Sequence, residues 1–450
     1  MIDIINLRRA LFAPALLLWS IVLPGSQVWS QVGDAALDPM APLAEAYVRL
    51  GLQLQNHDPL EYLYLGPDAW RSAARENPLA MPRIQEELAA LQGKIEALPM
   101  PATGMDQDRR SVLQGRITAM ITRLDILQGR FPASFDEETR LLFGVEAPHY
   151  DEDHFRALVA ELDELIPGEG ALPARVERFR DQFIIPADKV EAVITESVAE
   201  CRRRTRGHID LPDNEATSLN ITTGKHWVGF AEFQGDSHTT VHINRDVPIH
   251  VERVIQLGCH EAYPGHHVHA TLVEAELVRK RGWIEYAYIP LHGSQAVIAE
   301  GAANYGVDLA FTPAERIAYE RSVILPMAGL DGEQLELYYR YFALLDQLNF
   351  ARNEVARYYL YGGMPREQAI AWLMEFGLES RGTASQRLDF IAAMRSYVIN
   401  YNYGKTLVRD YVESQAGPDR EARWQVFQQV LSTPIQPQQM RQNIAQSVAE

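Results

Sequence analysis

Apolar residues recur at every third or fourth position through most of the chain, the period of helices with one buried face. The stretch 82–98 (PRIQEELAALQGKIEAL) shows it well, and 111–127 and 153–165 repeat it. Pro186-Ala187-Asp188 opens a further helix that runs through Cys201. Proline and glycine breaks separate these segments, as in Pro99-Met100-Pro101 and Pro167-Gly168-Glu169-Gly170. Amphipathic helices joined by short breaks predict an all-α, bundle-like region from residue 31 to about 210. The period changes after His208. Residues 217–245 carry Thr-, Val- and Phe-rich stretches around Gly229 and Gly235, and 239–244 alternates like a short strand, so a hairpin or small sheet is expected there. Helical spacing resumes at Pro248, a residue suited to a helix start. It continues nearly to the end, where Pro434-Ile435-Gln436-Pro437 and a Gln-rich tail predict a frayed terminus. The expected fold is mainly α, with a small sheet beside a zincin-like metal-binding helix core. Regions 31–210 and 211–450 are expected to pack as one compact unit.

The first thirty residues do not fit this body. Arg8 and Arg9 precede an apolar run, ALFAPALLLWSIVLP, and Val28 and Ser30 supply small positions before a cut ahead of Gln31. This is the plan of an export signal. A membrane anchor is the competing reading, but Pro14 and Pro24 interrupt the run, which falls short of the roughly 20 residues a spanning helix needs. No cysteine lies near the cut, which excludes a lipid-modified N-terminal cysteine. The expected location is therefore periplasmic or extracellular, without membrane insertion after cleavage.

Composition narrows the partners. The 450 residues are 47% hydrophobic and carry a formal net charge of −18, a surface that repels phosphate backbones and makes nucleic acid an unsuitable partner. The two cysteines, Cys201 and Cys259, are too few for a disulfide scaffold. Cys259 is read as a buried thiol, with a bridge to Cys201 as the alternative. No Gly-x-Ser-x-Gly elbow or Walker-type loop occurs.

The chemistry concentrates in one segment, Cys259-His260-Glu261-Ala262-Tyr263-Pro264-Gly265-His266-His267-Val268-His269. Four of the chain's 13 histidines fall within ten residues here. A zinc hydrolase needs three protein ligands, an open position for water and a carboxylate nearby. His-Glu-x-x-His meets this on one helix, because residues four apart share a face. Here the fourth position is Pro264 and the next histidines stand six and seven residues on. On a regular helix the seventh lies about 10.5 Å along the axis, too far for two imidazoles to meet one ion at about 2 Å. Proline removes a backbone donor and glycine tolerates a bend, so a kink at Pro264-Gly265 swings His266 back toward His260. His266 is favoured as second ligand, with His267 as the alternate. The third is Glu300, an acid among the apolar residues Val297, Ile298, Ala302 and Ala303. Acids are rarely buried unless paired, and a metal satisfies it. Asn304, one turn on, is placed to orient a ligating histidine.

The segments HEAYPGHHVH and AEGAANYG, with the late NYNYGK, resemble the bacterial domain-of-unknown-function 885 family (DUF-885), a relative of the gluzincin metallopeptidases. The resemblance spans about residues 40 to 430, though only these segments are specific. It implies His260, His266 and Glu300 as ligands of one Zn2+ per chain, Glu261 as catalytic base, and a mainly helical body with a small sheet. It also implies an edge strand that pairs with extended substrate. Residues 239–244 occupy that place, with His242 and Asn244 as substrate contacts. Tyr401 and Tyr403 are the candidate oxyanion donors, and Arg395 a partner for an oxyanion or a substrate carboxylate.

The expected activity is a zinc peptidase acting on peptides that reach an exported enzyme. A metal-dependent hydrolase of other amides or esters is the alternative, and a metal-binding protein without turnover is a third reading. His, His and Glu suit zinc but accept other divalent ions.

Overall fold

Helix boundaries follow local chemistry. The computed structural model describes residues 38–449 except 61, 102, 103 and 226. The export signal read in residues 1–30 lies outside the described residues. Helix α1 (Ala41–Leu54) carries a proline in its first turn, where the lost N–H costs nothing. Strand β1 (Tyr62–Tyr64) follows. Helix α2 (Met81–Glu96) buries Ile84, Leu88, Leu91 and Ile95. These form the stripe that predicts it, each side chain contributing about 1.5–3 kcal/mol on burial. The long α3 (Gly104–Leu127) buries arginines seven residues apart. Arg109 pairs with Glu285 at 2.5 Å, Arg116 donates to the Glu285 carbonyl at 2.7 Å, and Arg123 pairs with Asp58 at 2.7 Å. Helix α4 (Phe135–Phe143) starts at a Ser134 cap and stops at Gly144 in the left-handed region. Helix α5 (Glu152–Leu165) has an Asp151 cap, and α6 (Val190–Thr205) ends the helical first part.

Three strands follow: β2 (Ala216–Thr222), β3 (Gly229–Gly235) and β4 (His238–Asn244). Their order is β2-β4-β3, with β2 parallel and β3 antiparallel to β4. The expected small sheet is there, but the strand expected at its edge is at its centre. Asp236 and Ser237, both at positive φ, form the two-residue turn that folds β3 onto β4. The Glu274 carboxylate holds the turn by accepting from both backbone N–H groups, at 2.9 and 3.0 Å. Strand β2 then takes the other side of β4, which leaves β3 with an unpaired edge among the described strands.

Helix α7 (Val251–Leu257) runs into a π-helical turn, Gly258–Ala262, and α8 (His266–Leu272) begins after a break. Strand β5 (Tyr288–Pro290) pairs antiparallel with β1. Then come α9 (Ser294–Ala310), α10 (Ala351–Leu360), α11 (Arg381–Met394), α12 (Ile399–Ala416) and α13 (Pro437–Ala449). The chain is mainly helical. One apolar cluster joins α1, α2 and α3 to residues 273–288, and a larger one gathers the later helices around α7, α9 and α12. The tail departs from its expected fraying. Gln436 is buried and donates to the Ser111 carbonyl at 2.7 Å, and Met440 is fully enclosed. A polar amide with a backbone acceptor packs as well as an apolar residue, and the Gln-rich composition hides this. No helix among the described residues is long and apolar enough to cross a membrane.

Candidate metal centre

The centre is built where α7 gives way to α8. The wider π turn carries His260 and Glu261, and the chain then breaks at a cis Tyr263–Pro264 bond and Gly265. A β-carbon on Gly265 would sit 1.9 Å from the His260 carbonyl oxygen, so only glycine lets the chain fold back this closely. His266 opens α8 with its ring perpendicular to that of His260, centroids 4.6 Å apart. Nε2 of His260 lies 3.4 Å and Nε2 of His266 3.7 Å from Oε2 of Glu300. One ligand atom from each of the three lies within 4.8 Å of the others, so the group could hold a metal ion. The anticipated kink is present, with a π turn in place of a regular helix before it.

Glu300 arrives through a close helix crossing. A β-carbon on Gly301 would lie 2.2 Å from the Gly404 carbonyl oxygen, and one on Gly404 would lie 2.6 Å from that of Val297. Bare backbone on both helices therefore lets α9 touch α12, and it sets Glu300 and Asn304 against the tyrosines at the start of α12. Tyr397 donates to Glu300 Oε1 at 3.0 Å. Asn304 Nδ2 donates to the Tyr401 carbonyl at 2.9 Å, which leaves Oδ1 to face Nδ1 of His260 at 3.0 Å. Oδ1 can only accept, so Nδ1 of His260 carries a proton, and in the neutral ring Nε2 presents its lone pair toward Glu300.

The electrostatics are those of an anion held among histidines. Burial opposes ionisation of Glu300, yet the neighbouring imidazoles of His260 and His266 hold its carboxyl well below the usual range. Burial likewise pushes His266 down, while Glu300 and then Glu261 raise it to a net increase. Oε2 of Glu300 is enclosed and has no hydrogen-bond partner. Glu261 is buried beside the centre. Its Oε1 would be 3.3 Å from a β-carbon on Gly229, at the start of the unpaired β3 edge.

The remaining sequence candidates divide. His267, the alternate ligand, turns the other way: it is fully buried, with Nδ1 2.8 Å from Thr239 Oγ1 and Nε2 3.1 Å from Glu215 Oε2. One residue along a helix rotates a side chain by about 100°, so adjacent histidines cannot share the face. Tyr401 is 38% exposed and within the fields of Glu300 and Glu261. Tyr403 is buried in the field of Arg441 and Asp410, on another face of α12. Arg395 is 2.7 Å from the buried Glu138 and donates to Tyr361 at 3.0 Å; this pair anchors the one-turn helix Arg395–Val398 below the site. Asn244 is fully buried, and its Nδ2 bonds the Lys225 and Trp227 carbonyls. It ties down a loop and cannot reach a substrate. His242 bonds Asn220 and Glu232, both at 2.9 Å, across the strands of the sheet. Tyr397 escapes the sequence reading; its signal is the four-residue spacing from Tyr401, which places both rings on one face.

The cysteines are bridged. Cys201 on α6 and Cys259 form a disulfide with Cα atoms 5.4 Å apart, correcting the expected free thiol. Spacing of 58 residues cannot reveal that α6 packs against the metal turn. The bridge ties that turn at the residue before His260.

No protein-family model and no curated protein matches the sequence. Solved structures with a related course of the chain include a putative lipoprotein from Colwellia psychrerythraea, 15% identical with a TM-score of 0.49, covering 82% of this chain and 67% of that one. A putative lipoprotein from Shewanella oneidensis is 15% identical with a TM-score of 0.42, covering 85% of this chain and 76% of its own. The M32 carboxypeptidase of Deinococcus radiodurans R1 is 12% identical with a TM-score of 0.46, and the alignment covers 92% of this chain and 95% of that enzyme.

Proposed function

We propose that this chain is an exported, zinc-dependent peptidase with His260, His266 and Glu300 as ligands. One observation carries the reading. Nε2 of His260 and Oε2 of Glu300 face each other at 3.4 Å, and Oε2 has no hydrogen-bond partner. With Nδ1 of a neutral His260 donating to Asn304, both facing atoms are acceptors, which a cation between them satisfies. Two imidazoles and a carboxylate are a donor set that zinc accepts with a position left open.

A bound divalent ion supplies Lewis acidity, polarising a carbonyl and making a nearby water more acidic. The chain's own residues do the rest. Glu261 takes the proton of the attacking water and passes it to the leaving amine. The Tyr401 hydroxyl donates to the developing oxyanion. Asn304 holds His260 in one tautomer, and Tyr397 fixes the orientation of Glu300. The free edge of β3, which starts beside Glu261, offers main-chain hydrogen bonds to an extended peptide. Export is supported by the N-terminal segment and by the buried Cys201–Cys259 bridge, since disulfides persist in oxidising compartments.

The test is metal content by elemental mass spectrometry, followed by peptide-library cleavage. The expected result is about one zinc per chain, lost in His260→Ala, with cleavage that disappears in Glu261→Gln. A protein that takes up no divalent ion, or a Glu261→Gln variant that cleaves as well as wild type, overturns the reading.

A further inference from the structure

The edge of β3 left unpaired among the described strands carries side chains as well as main-chain groups. In the ladder with β4, Gly229 stands opposite Ile243 and Phe230 opposite His242. Just before it, the Asn244 N–H donates to the Val228 carbonyl at 2.9 Å. Antiparallel pairs alternate between those that exchange hydrogen bonds and those that do not. Val228 is therefore a position bonded to β4, and Phe230 and Glu232 repeat it. Gly229 and Ala231 fall between, so their N–H and C=O groups turn to the free edge. An extended peptide added there bonds to Gly229 and Ala231.

Side chains alternate between the two faces of a strand. The Gly229 position looks inward, since a β-carbon on it would lie 2.6 Å from Leu257 Cδ2 and 3.3 Å from Glu261 Oε1. Phe230, one residue on, looks outward and is 39% exposed. Its ring stacks on His242 at 27°, with centroids 6.3 Å apart. Trp227 completes the group, 6.0 Å from Phe230 and 6.4 Å from His242. Asn220 and Glu232 hold the His242 ring from either side, both at 2.9 Å. One exposed apolar residue needs no explanation, but three rings grouped beside an open strand edge are placed for a ligand.

Residues directly opposite on neighbouring strands bring their β-carbons about 4.5–5.5 Å apart. The peptide residue beside Gly229 thus points inward toward Glu261, and the next one points outward against Phe230. An aromatic or large aliphatic side chain at that second position removes apolar surface of both partners from water. A small polar one does not.

We propose that Phe230, with Trp227 and His242 beside it, is the specificity-determining platform of the site. It selects peptides with an aromatic or large aliphatic residue adjacent to the residue held at Glu261. The proposal rests on the peptidase reading above for the bond cut, but not for the binding of the side chain.

The experiment measures turnover and binding separately, with alanine-based peptides that carry one phenylalanine or one serine at the same place. For turnover, kcat/KM is measured on the zinc-loaded protein and the cut is located by mass spectrometry. The expected ratio favours phenylalanine by about tenfold or more, the worth of partly burying an aromatic side chain, with the cut at a fixed distance from it. Phe230→Thr, which keeps a strand-forming residue, is expected to bring the ratio to about twofold or less, while Phe230→Leu keeps most of it. Zinc content and thermal unfolding check that both variants are loaded and folded. Equal kcat/KM for the two peptides, a cut at no fixed distance from phenylalanine, or a ratio unchanged in Phe230→Thr overturns the platform. For binding, zinc-supplemented Glu261→Gln protein is titrated calorimetrically with the same peptides, and the same preference is expected. Equal binding of the two, or binding of neither, also overturns the platform. Wild-type protein that cleaves neither peptide, while the binding preference is present and is lost on adding Phe230→Thr, sinks the peptidase reading alone.

Discussion

Two carboxylate–histidine clusters flank α8, and adjacent residues, His266 and His267, belong to opposite ones. In the first, Glu215 is saturated. Its Oε1 accepts from Arg202 at 2.7 Å and Arg206 at 2.8 Å, and its Oε2 accepts from Tyr263 and lies 3.1 Å from His267 Nε2. His267 is bonded at both ring nitrogens. In the second, Glu300 has a donor on Oε1 alone, and Oε2 faces two imidazoles at 3.4 and 3.7 Å without a hydrogen bond. The residue types are the same, the first site being fully buried and the second partly so. The difference is satisfaction: a closed network holds structure, while an open one asks for a cation. A histidine beside a carboxylate is therefore a poor guide until the other atoms of both groups are counted.

The comparison can be broken most directly at Glu261, an acid near the open cluster that is not among the three proposed ligands. Glu261→Gln is expected to lower peptide cleavage by about 10²–10⁴-fold, the usual worth of a general base, with zinc content unchanged by elemental analysis. The paired substitutions come next. His266→Ala is expected to lose the metal, whereas His267→Ala keeps it and unfolds at a lower temperature. The reverse pattern would mean that the clusters are wrongly assigned.

The closed cluster sets its own pH signature. Burial works against Glu215, but hydrogen bonds from His267, Tyr263 and the two arginines bring it from 4.5 to about 2. A depressed carboxylate stabilises the fold fully above its unfolded value, and this contribution is lost as pH falls through the folded one. Acid denaturation should therefore cost wild type on the order of 2–3 kcal/mol between pH 4.5 and 2. Glu215→Gln, already destabilised at neutral pH, should show a flatter profile in chemical unfolding at stepped pH.

A smaller effect sharpens the open cluster. Zinc at a hundredfold excess over its dissociation constant should stabilise wild type by about 2.7 kcal/mol, read as a rise in Tm, and should leave Glu300→Gln unmoved. Asn304→Ala should weaken metal affinity by about 10- to 100-fold, since His260 then loses the partner that fixes its tautomer. Zinc titration against a competing chelator measures it.

Periodicity made the helices legible, because a buried stripe such as Ile84, Leu88, Leu91 and Ile95 must recur with the helical turn. It also made the short strand at 239–244 legible, but not its neighbours. Which strand lies at an edge depends on a turn at Asp236-Ser237 and on a loop that carries β2 past β3, and alternation contains neither. The contacts of Arg395 and Asn244 are hidden in the sequence for a related reason. A polar residue near a motif looks available until its partner, Glu138 in one case and two loop carbonyls in the other, comes from distant sequence. Tyr397 and Tyr403 differ only in the face of α12 or its leading turn that they occupy.

By itself, the sequence determined the helical class, the dense histidine segment, and the break at Pro264-Gly265 that makes a second ligand at position six sterically reasonable, because all of these are local: they depend on residues within a few turns of one another. Tertiary structure decided which of two adjacent histidines faces Glu300 and that Cys259 is bridged. Those outcomes depend on which helices touch, and contacts such as Gly301 on Gly404 are made between segments a hundred residues apart.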